Sequence, residues 1–175
     1  LGIIGAGRIG RVHIRGILSG VPNARIRGIA APHITQDIEA LSRSAGAEVL
    51  TQDYRVLLRD PAIDAVLICS PTDTHADISV EALEAGKHVF CEKPVDLGLV
   101  KIQTVIDAVA AHGLKYQVGF NRRFDHNYQA LRRAVTEGRV GQVQLLKICS
   151  RDSEPPTPKF IPSSGGLFLD MTVHD

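Results

Sequence analysis

Short apolar runs alternate with amphipathic stretches through the first two thirds of the chain. Leu1–Ile4, Ala24–Ala31, Val49–Leu50, Ala65–Cys69, His88–Cys91 and Lys115–Gly119 read as strands. Between them, Ile9–Ser19 places Ile9, Val12, His13 and Ile17 on a partial apolar face and reads as a helix. Gln36–Ser44, Thr74–Ala85, Leu97–Ala111 and a short segment that Asp53 can cap, running to Leu58, read the same way. Gly46, Gly86 and Gly113 stand where these helices should close. Ala65–Cys69 is apolar without interruption, as befits a strand covered on both faces of a parallel sheet. Repeated strand–helix–strand order predicts an α/β fold, a doubly wound parallel sheet with right-handed crossovers. Such sheets bind ligands beyond the carboxyl ends of their strands. Those ends are Gly5–Gly10, Ala31–His33, Cys69–Thr72, Glu92–Pro94 and Phe120–Arg123.

The pattern changes after Gly119, which divides the chain into residues 1–119 and 120–175. Tyr128–Glu137 reads as a helix and Val143–Cys149 as an alternating strand. Ser153–Ser164 is rich in Pro and Ser and reads as a long irregular loop. A further helix begins near Gly165. One helix, one strand and a helix start are too little for an independent core. The second part is therefore expected to be the beginning of a larger α/β domain, completed by further sheet or by another chain. The first residue is Leu1 and already belongs to a strand, so the amino terminus is expected to be trimmed or incomplete.

Charge and cysteine usage narrow the partners. Lys plus Arg number 20 and Asp plus Glu 19, a net charge of +1, so no basic field draws nucleic acid or an anionic membrane. No apolar run is long enough to span a bilayer, and no export signal precedes the first strand. The three cysteines, Cys69, Cys91 and Cys149, are odd in number and form no Cys-x-x-Cys. Neither a disulfide framework nor a zinc site is indicated, and buried reduced thiols in a cytoplasmic protein are expected. Cys91, two residues before Lys93, has a reactive thiol as its alternative.

The first strand runs into Gly5-Ala6-Gly7-Arg8-Ile9-Gly10, a Gly-x-Gly-x-x-Gly between a strand and a helix. Gly5 permits the tight turn, Gly7 removes a Cβ where backbone must approach phosphates, and Gly10 lets the helix pack closely. The helix amino terminus can then face a pyrophosphate, so the segment reads as a dinucleotide-binding loop, with a structural turn as the plain alternative. Glu92-Lys93-Pro94 follows the fifth strand, where Lys93 either stabilises a developing alkoxide or sits in a surface turn. Pro94 restricts Lys93 to extended geometry.

Asp170 and His174 are four apart in a helix-compatible segment, which would set them on one face. His174 suits proton transfer near neutral pH, with Asp170 orienting it. A helix-surface pair or an Asp cap is the plain alternative. A metal site would need a third ligand that the sequence does not supply. Asn121-Arg122-Arg123-Phe124-Asp125 and Arg151-Asp152 offer hydrogen bonds to a polyol, or a salt-bridged junction and a solvated turn. Pro71-Thr72-Asp73-Thr74-His75 opens a helix at a strand end, with Thr72 a neighbour for a cofactor.

The glycine loop, Ser70-Pro71-Thr72-Asp73-Thr74-His75, Glu92-Lys93-Pro94, Gly119-Phe120-Asn121-Arg122-Arg123-Phe124-Asp125 and Gly165-Gly166-Leu167-Phe168-Leu169-Asp170-Met171-Thr172-Val173-His174-Asp175 occur in that order. In these segments the chain resembles the glucose-fructose oxidoreductase / inositol dehydrogenase family over its whole length, and the inositol branch most closely. The resemblance implies a Rossmann domain for NAD followed by a domain with a large open sheet, in a homotetramer when full length. It implies reversible oxidation of a cyclitol ring hydroxyl to a ketone, myo-inositol giving the 2-keto product. Lys93, Asp170 and His174 align with the catalytic Lys, Asp and His of that family.

The cofactor set that follows is Gly5, Ala6, Gly7, Arg8, Ile9, Gly10, Ala31, Cys69, Ser70, Pro71, Thr72, His75, Glu92 and Lys93. Asn121, Arg122 and Asp152 are the expected substrate contacts, and no metal is implied. One position departs from the family pattern. NAD-preferring members carry an Asp at the end of the second strand, and this chain has Ala31, followed by Pro32 and His33. NAD is the expected cofactor, with NADP open. Another cyclitol or sugar dehydrogenase of the family, or a cofactor-binding sensor without turnover, is the alternative activity.

Overall fold

A computed structural model describes residues 1–151, 154–158 and 161–174 of the chain. It divides into two compact units, Leu1–Val118 and Gly119–Asp175.

In the first unit six strands form one wholly parallel sheet: β1 (Gly2–Ile4), β2 (Gly28–Ala30), β3 (Val49–Thr51), β4 (Ala65–Ile68), β5 (His88–Cys91) and β6 (Tyr116–Val118). Their spatial order is β3-β2-β1-β4-β5-β6. The order reverses between β1 and β4, whose residues Gly2, Ile3 and Ile4 lie opposite Val66, Leu67 and Ile68. That reversal opens a crevice at the carboxyl ends of β1 and β4, where doubly wound sheets bind ligands. Five helices connect the strands: α1 (Arg8–Gly20), α2 (Gln36–Ser44), α3 (Arg55–Arg59), α4 (His75–Glu84) and α5 (Leu99–His112).

The sheet is buried on both faces because successive side chains point to opposite sides. Ile3 and Ile29 pack with Ile14 and Ile17 of α1 and Ile38 of α2. Their neighbours Ile4 and Ala30 pack on the other side with Leu57 and Leu58 of α3 and Ile78, Ala82 and Leu83 of α4. Ile3, Ile14, Ile29, Leu57, Val66, Ile68 and Leu83 are sealed from solvent.

Two boundaries in this unit differ from the sequence expectation. The second strand, expected over Ala24–Ala31, pairs only over Gly28–Ala30. Its partner β1 is three residues long, and a strand extends only as far as a neighbour accepts its hydrogen bonds. The helix expected from Leu97 starts at Leu99, because Asp96 Oδ1 accepts from Gly98 N–H at 2.8 Å and closes a turn ahead of it.

The second unit holds α6 (His126–Thr136) and the short α7 (Gly166–Asp170). Asp125 caps α6 as its Oδ1 accepts from Asn127 and Tyr128 N–H at 2.8 and 3.1 Å. Val143–Cys149, expected as a strand, is irregular and exposed. Alternation only states which faces would be buried; a strand also needs a partner ladder, and none of the described residues supplies one. The helix expected to carry Asp170 and His174 together ends at Asp170, and a separate 3₁₀ turn, Thr172–His174, follows Met171. The spacing of the two residues is therefore not that of one continuous α-helical face.

Candidate functional site

The glycine loop leaves β1 at the crevice. Gly5 N–H donates to the Ala30 carbonyl at 2.9 Å, which turns the chain over the end of β2. Gly5 has φ +100°, and a Cβ there would lie 2.5 Å from the Cys69 carbonyl oxygen, so only glycine serves. A Cβ on Gly10 would lie 2.1 Å from the Gly5 carbonyl oxygen, which is the close helix–strand approach expected of the third glycine. A Cβ on Gly7 would meet nothing within 4 Å. The space above Gly7 is open, as a phosphate cradle requires. Gly7 stands at the amino end of α1, a helix of 13 residues with no side-chain cap and no acidic residue in its first turn. Its first N–H groups are thus left to an anion. Arg8 is exposed beside them, Ala6 is buried and Ile9 half-buried, and Arg11 Nε donates to the Ala6 carbonyl at 3.2 Å. These features fit a dinucleotide, whose pyrophosphate would rest on Gly5–Gly10.

Across the crevice, Cys69 continues β4 by donating its N–H to the Ile4 carbonyl at 2.7 Å. Burial, with smaller contributions from Glu92 and Cys91, pushes the Cys69 thiol up to about 12. Ser70, Pro71 and Thr72 form the loop into a 3₁₀ turn, Thr72–Thr74. Ser70 Oγ and Thr74 Oγ1 lie 2.7 Å apart, and Thr74 Oγ1 donates to the Pro71 carbonyl at 2.7 Å. His75 is buried at 2% exposure, with Nδ1 2.8 Å from the Pro94 carbonyl and Nε2 2.8 Å from the Ser70 carbonyl. Both ring nitrogens face backbone carbonyl oxygens, which only accept, so a neutral ring donates to one of the two. His75 thus stands between the loop after β4 and the loop after β5.

Glu92 and Lys93 follow β5, and the Lys93–Pro94 peptide bond is cis. Glu92 N–H donates to the Ile68 carbonyl at 3.0 Å. Its Oε1 lies 2.6 Å from His13 Nε2, and its Oε2 accepts from Lys93 N–H at 3.2 Å. Burial pushes the Glu92 carboxyl up, but the His13 hydrogen bond and charge, followed by the Lys93 N–H and ammonium, outweigh it and hold the group below the ordinary glutamate value. The His13–Glu92 pair joins residues 79 apart in sequence and was not among those singled out from sequence. Burial is also the main cause that pushes Cys91 up to about 11, so this thiol beside Lys93 is protonated and sheltered rather than reactive.

At the end of β2, Ala31 is buried and its N–H donates to the Thr51 carbonyl at 2.9 Å, while Pro32 and His33 are exposed. No carboxylate stands at Ala31, Pro32 or His33 to accept from ribose hydroxyls.

Within the second unit, Asn121 and Arg122 begin a 3₁₀ turn, Asn121–Phe124. Arg122 donates from Nη2 to Ser150 Oγ at 2.8 Å and lies over the Tyr128 ring at 5.2 Å. A cavity of about 350 Å³ is lined by His174, Arg122, Arg123, Arg132 and Tyr128, among others. The structure thus brings two expected site residues, Arg122 and His174, to one hollow. Asn121 lines an adjoining hollow with Arg122. Asp170 is half-buried at the end of α7. Asp152 lies outside the described residues. Among the described residues no cluster of three or more potential ligands could hold a metal ion, and no helix is long and apolar enough to cross a membrane.

A parallel sheet with a glycine loop at its reversal point defines a dinucleotide-binding domain of the Rossmann type. Residues 1–120 match the model of the GFO/IDH/MocA oxidoreductase family with its NAD-binding Rossmann fold, and the chain belongs to that family. It is 44% identical over 174 residues to an inositol 2-dehydrogenase of Rhizobium meliloti, covering 99% of this chain and 52% of the relative. It superposes on the crystal structure of a putative myo-inositol dehydrogenase from Sinorhizobium meliloti with a TM-score of 0.91 and 41% identity, covering 99% of this chain and 52% of that one. Scyllo-inositol dehydrogenase from Lactobacillus casei, solved with NAD(H) and scyllo-inositol, matches with a TM-score of 0.76 and 34% identity over 80% of this chain and 41% of that one. The chain spans about half the length of the curated relatives it matches.

Proposed function

We propose that the protein carrying this chain is a cytoplasmic, NAD-dependent cyclitol dehydrogenase that oxidises a ring hydroxyl of myo-inositol to the 2-ketone. One observation carries the reading. An open glycine cradle at the sheet reversal and Glu92-Lys93-Pro94 at the end of β5 occur together in a chain 44% identical to an inositol 2-dehydrogenase. The nicotinamide, when bound, accepts the hydride, and the protein supplies placement and charge. Gly5–Gly10 and the amino end of α1 hold the pyrophosphate. Cys69, Ser70, Pro71 and Thr72 border the nicotinamide half of the crevice. Lys93 donates to the substrate oxygen and stabilises it as it becomes alkoxide-like. His174 takes the hydroxyl proton as general base, and Asp170 positions substrate and base. Asn121, Arg122 and Asp152 donate to or accept from the remaining hydroxyls. Full-length protein is expected to assemble as a homotetramer.

Scyllo-inositol is the second substrate reading, favoured by its presence in the Lactobacillus casei structure. Ala31 favours a cofactor pocket without strong discrimination against a 2′-phosphate, since a carboxylate is what repels it there. The test is a panel of myo-inositol, scyllo-inositol and glucose with NAD and with NADP, read as kcat/KM. Turnover of myo-inositol above the others supports the proposal. Tight cofactor binding with no turnover of any cyclitol would instead mark a sensor and defeat it.

A further inference from the structure

Lys93 sits in a turn that is restrained from two sides by histidines. On one side His75, buried in α4, lies 2.8 Å from the Pro94 carbonyl. On the other side stands His13, in the second turn of α1, at 2.6 Å from Glu92 Oε1. The His13 ring is itself oriented, packing edge-on to Phe90 of β5 with centroids 5.1 Å apart and planes at 68°. The acceptor is a carboxylate oxygen, so Nε2 is the donor. The second Glu92 oxygen accepts from the N–H of Lys93 at 3.2 Å. A chain of two hydrogen bonds therefore runs from the helix that follows the glycine loop to the backbone of Lys93.

We propose that His13 is a positioning residue for Lys93, acting through the Glu92 carboxylate. His13 keeps Glu92 turned inward; Glu92 then fixes the plane of the peptide from which the Lys93 side chain departs. Without His13 the carboxylate is free to rotate into solvent, because its side chain is already 13% exposed at the rim of the crevice. The Lys93 N–H then loses its partner, and the direction of the ammonium is no longer set from the Glu92 side. His75 holds Pro94 in either case. The inference rests on the reading of Lys93 as the group that stabilises the substrate oxygen, and it adds a residue to that machinery which touches neither substrate nor cofactor.

The test compares full-length wild type with His13→Leu and His13→Gln. His13 is a quarter exposed, so both variants should fold. With NAD and myo-inositol, kcat of His13→Leu should fall at least about tenfold, as expected when a reacting group drifts by a fraction of about 1 Å. The NADH dissociation constant, titrated by fluorescence, should stay within about twofold, because the glycine loop itself is untouched. His13→Gln can still donate an amide N–H to Glu92 and should recover most of kcat.

A second readout needs no turnover. Hydrogen exchange across His88–Asp96 should quicken about fivefold or more in His13→Leu and not in His13→Gln, with β2 unchanged in both. If wild type oxidises no cyclitol, the functional reading fails and exchange alone decides the inference. Faster exchange at the Lys93 segment then sustains it, and unchanged exchange overturns it. In an active enzyme, an unchanged kcat overturns it. So does a loss confined to cofactor affinity, since His13 would then merely dock α1.

Discussion

Ile3, Ile14, Ile29 and Val66 in residues 1–118 are fully shielded from water, whereas Leu145, Leu146, Leu167 and Phe168 in residues 119–175 stand 62–85% exposed. The first unit has a six-stranded sheet with an apolar cluster on each face. The second has two helices and an irregular stretch where a strand was expected, and Gly119 and Ser164 are its only buried residues among the described ones. A parallel sheet covered on both faces closes its own core, while a helix pair beside unpaired chain cannot. The cofactor loop thus sits on a self-sufficient scaffold. The residues proposed for proton transfer and substrate contact sit on one whose apolar surface calls for cover, which we propose the additional length seen in the relatives provides.

The largest expected effect separates the units directly. Residues 1–118 expressed alone should unfold in one cooperative thermal transition, and residues 119–175 alone should show none by circular dichroism. A cooperative transition in the second piece would break the comparison. Within the first unit the glycines sharpen it. Gly10→Ala drives a Cβ against the Gly5 carbonyl and should destabilise the domain by about 1–3 kcal/mol, read as a fall in Tm. Gly7→Ala meets no atom and has φ −70°, so Tm should hold while NAD affinity falls by about tenfold or more.

Smaller effects come from titrating groups. With thiols pushed up to about 12 and about 11 by burial, Cys69 and Cys91 should resist a thiol reagent at about pH 8 until the protein is unfolded. Early labelling of either would show that the core of the first unit opens locally. Glu92 is held below its ordinary value in the folded state, so the unfolded state binds more protons in the acid range. Its contribution to stability is present above the ordinary glutamate value of 4.5 and is lost as pH falls through the lower folded one. Glu92→Gln should therefore flatten the loss of stability below about pH 4.5 in acid denaturation, and an unchanged slope would contradict this.

What was legible in the sequence follows the same division. The glycine loop, the uninterrupted run at Ala65–Cys69 and the alternation of elements state local geometry, so the parallel fold and the strand ends that border the crevice could be read. Contacts between distant residues could not. Nothing in periodicity joins His13 to Glu92, or sets His75 between Ser70 and Pro94, because these depend on how the crossovers stack α1 and α4 against the sheet. Val143–Cys149 shows the opposite failure: its alternation was clear, but a strand is a property of two chains of backbone and only one is described. For Asp170 and His174 the spacing was read as one helix, and the break at Met171 places them in two turns.

The central claim is that Lys93 and His174 act on a cyclitol hydroxyl while NAD bound at Gly5–Gly10 takes the hydride. It is tested most directly by the rate of NADH formation from NAD and myo-inositol in full-length protein, with Lys93→Ala and His174→Ala alongside. The account predicts turnover in wild type and a loss of at least about a hundredfold in kcat in each variant, with NAD affinity kept in His174→Ala. Wild-type rates in either variant, or NAD binding without any oxidation of a cyclitol, would contradict it.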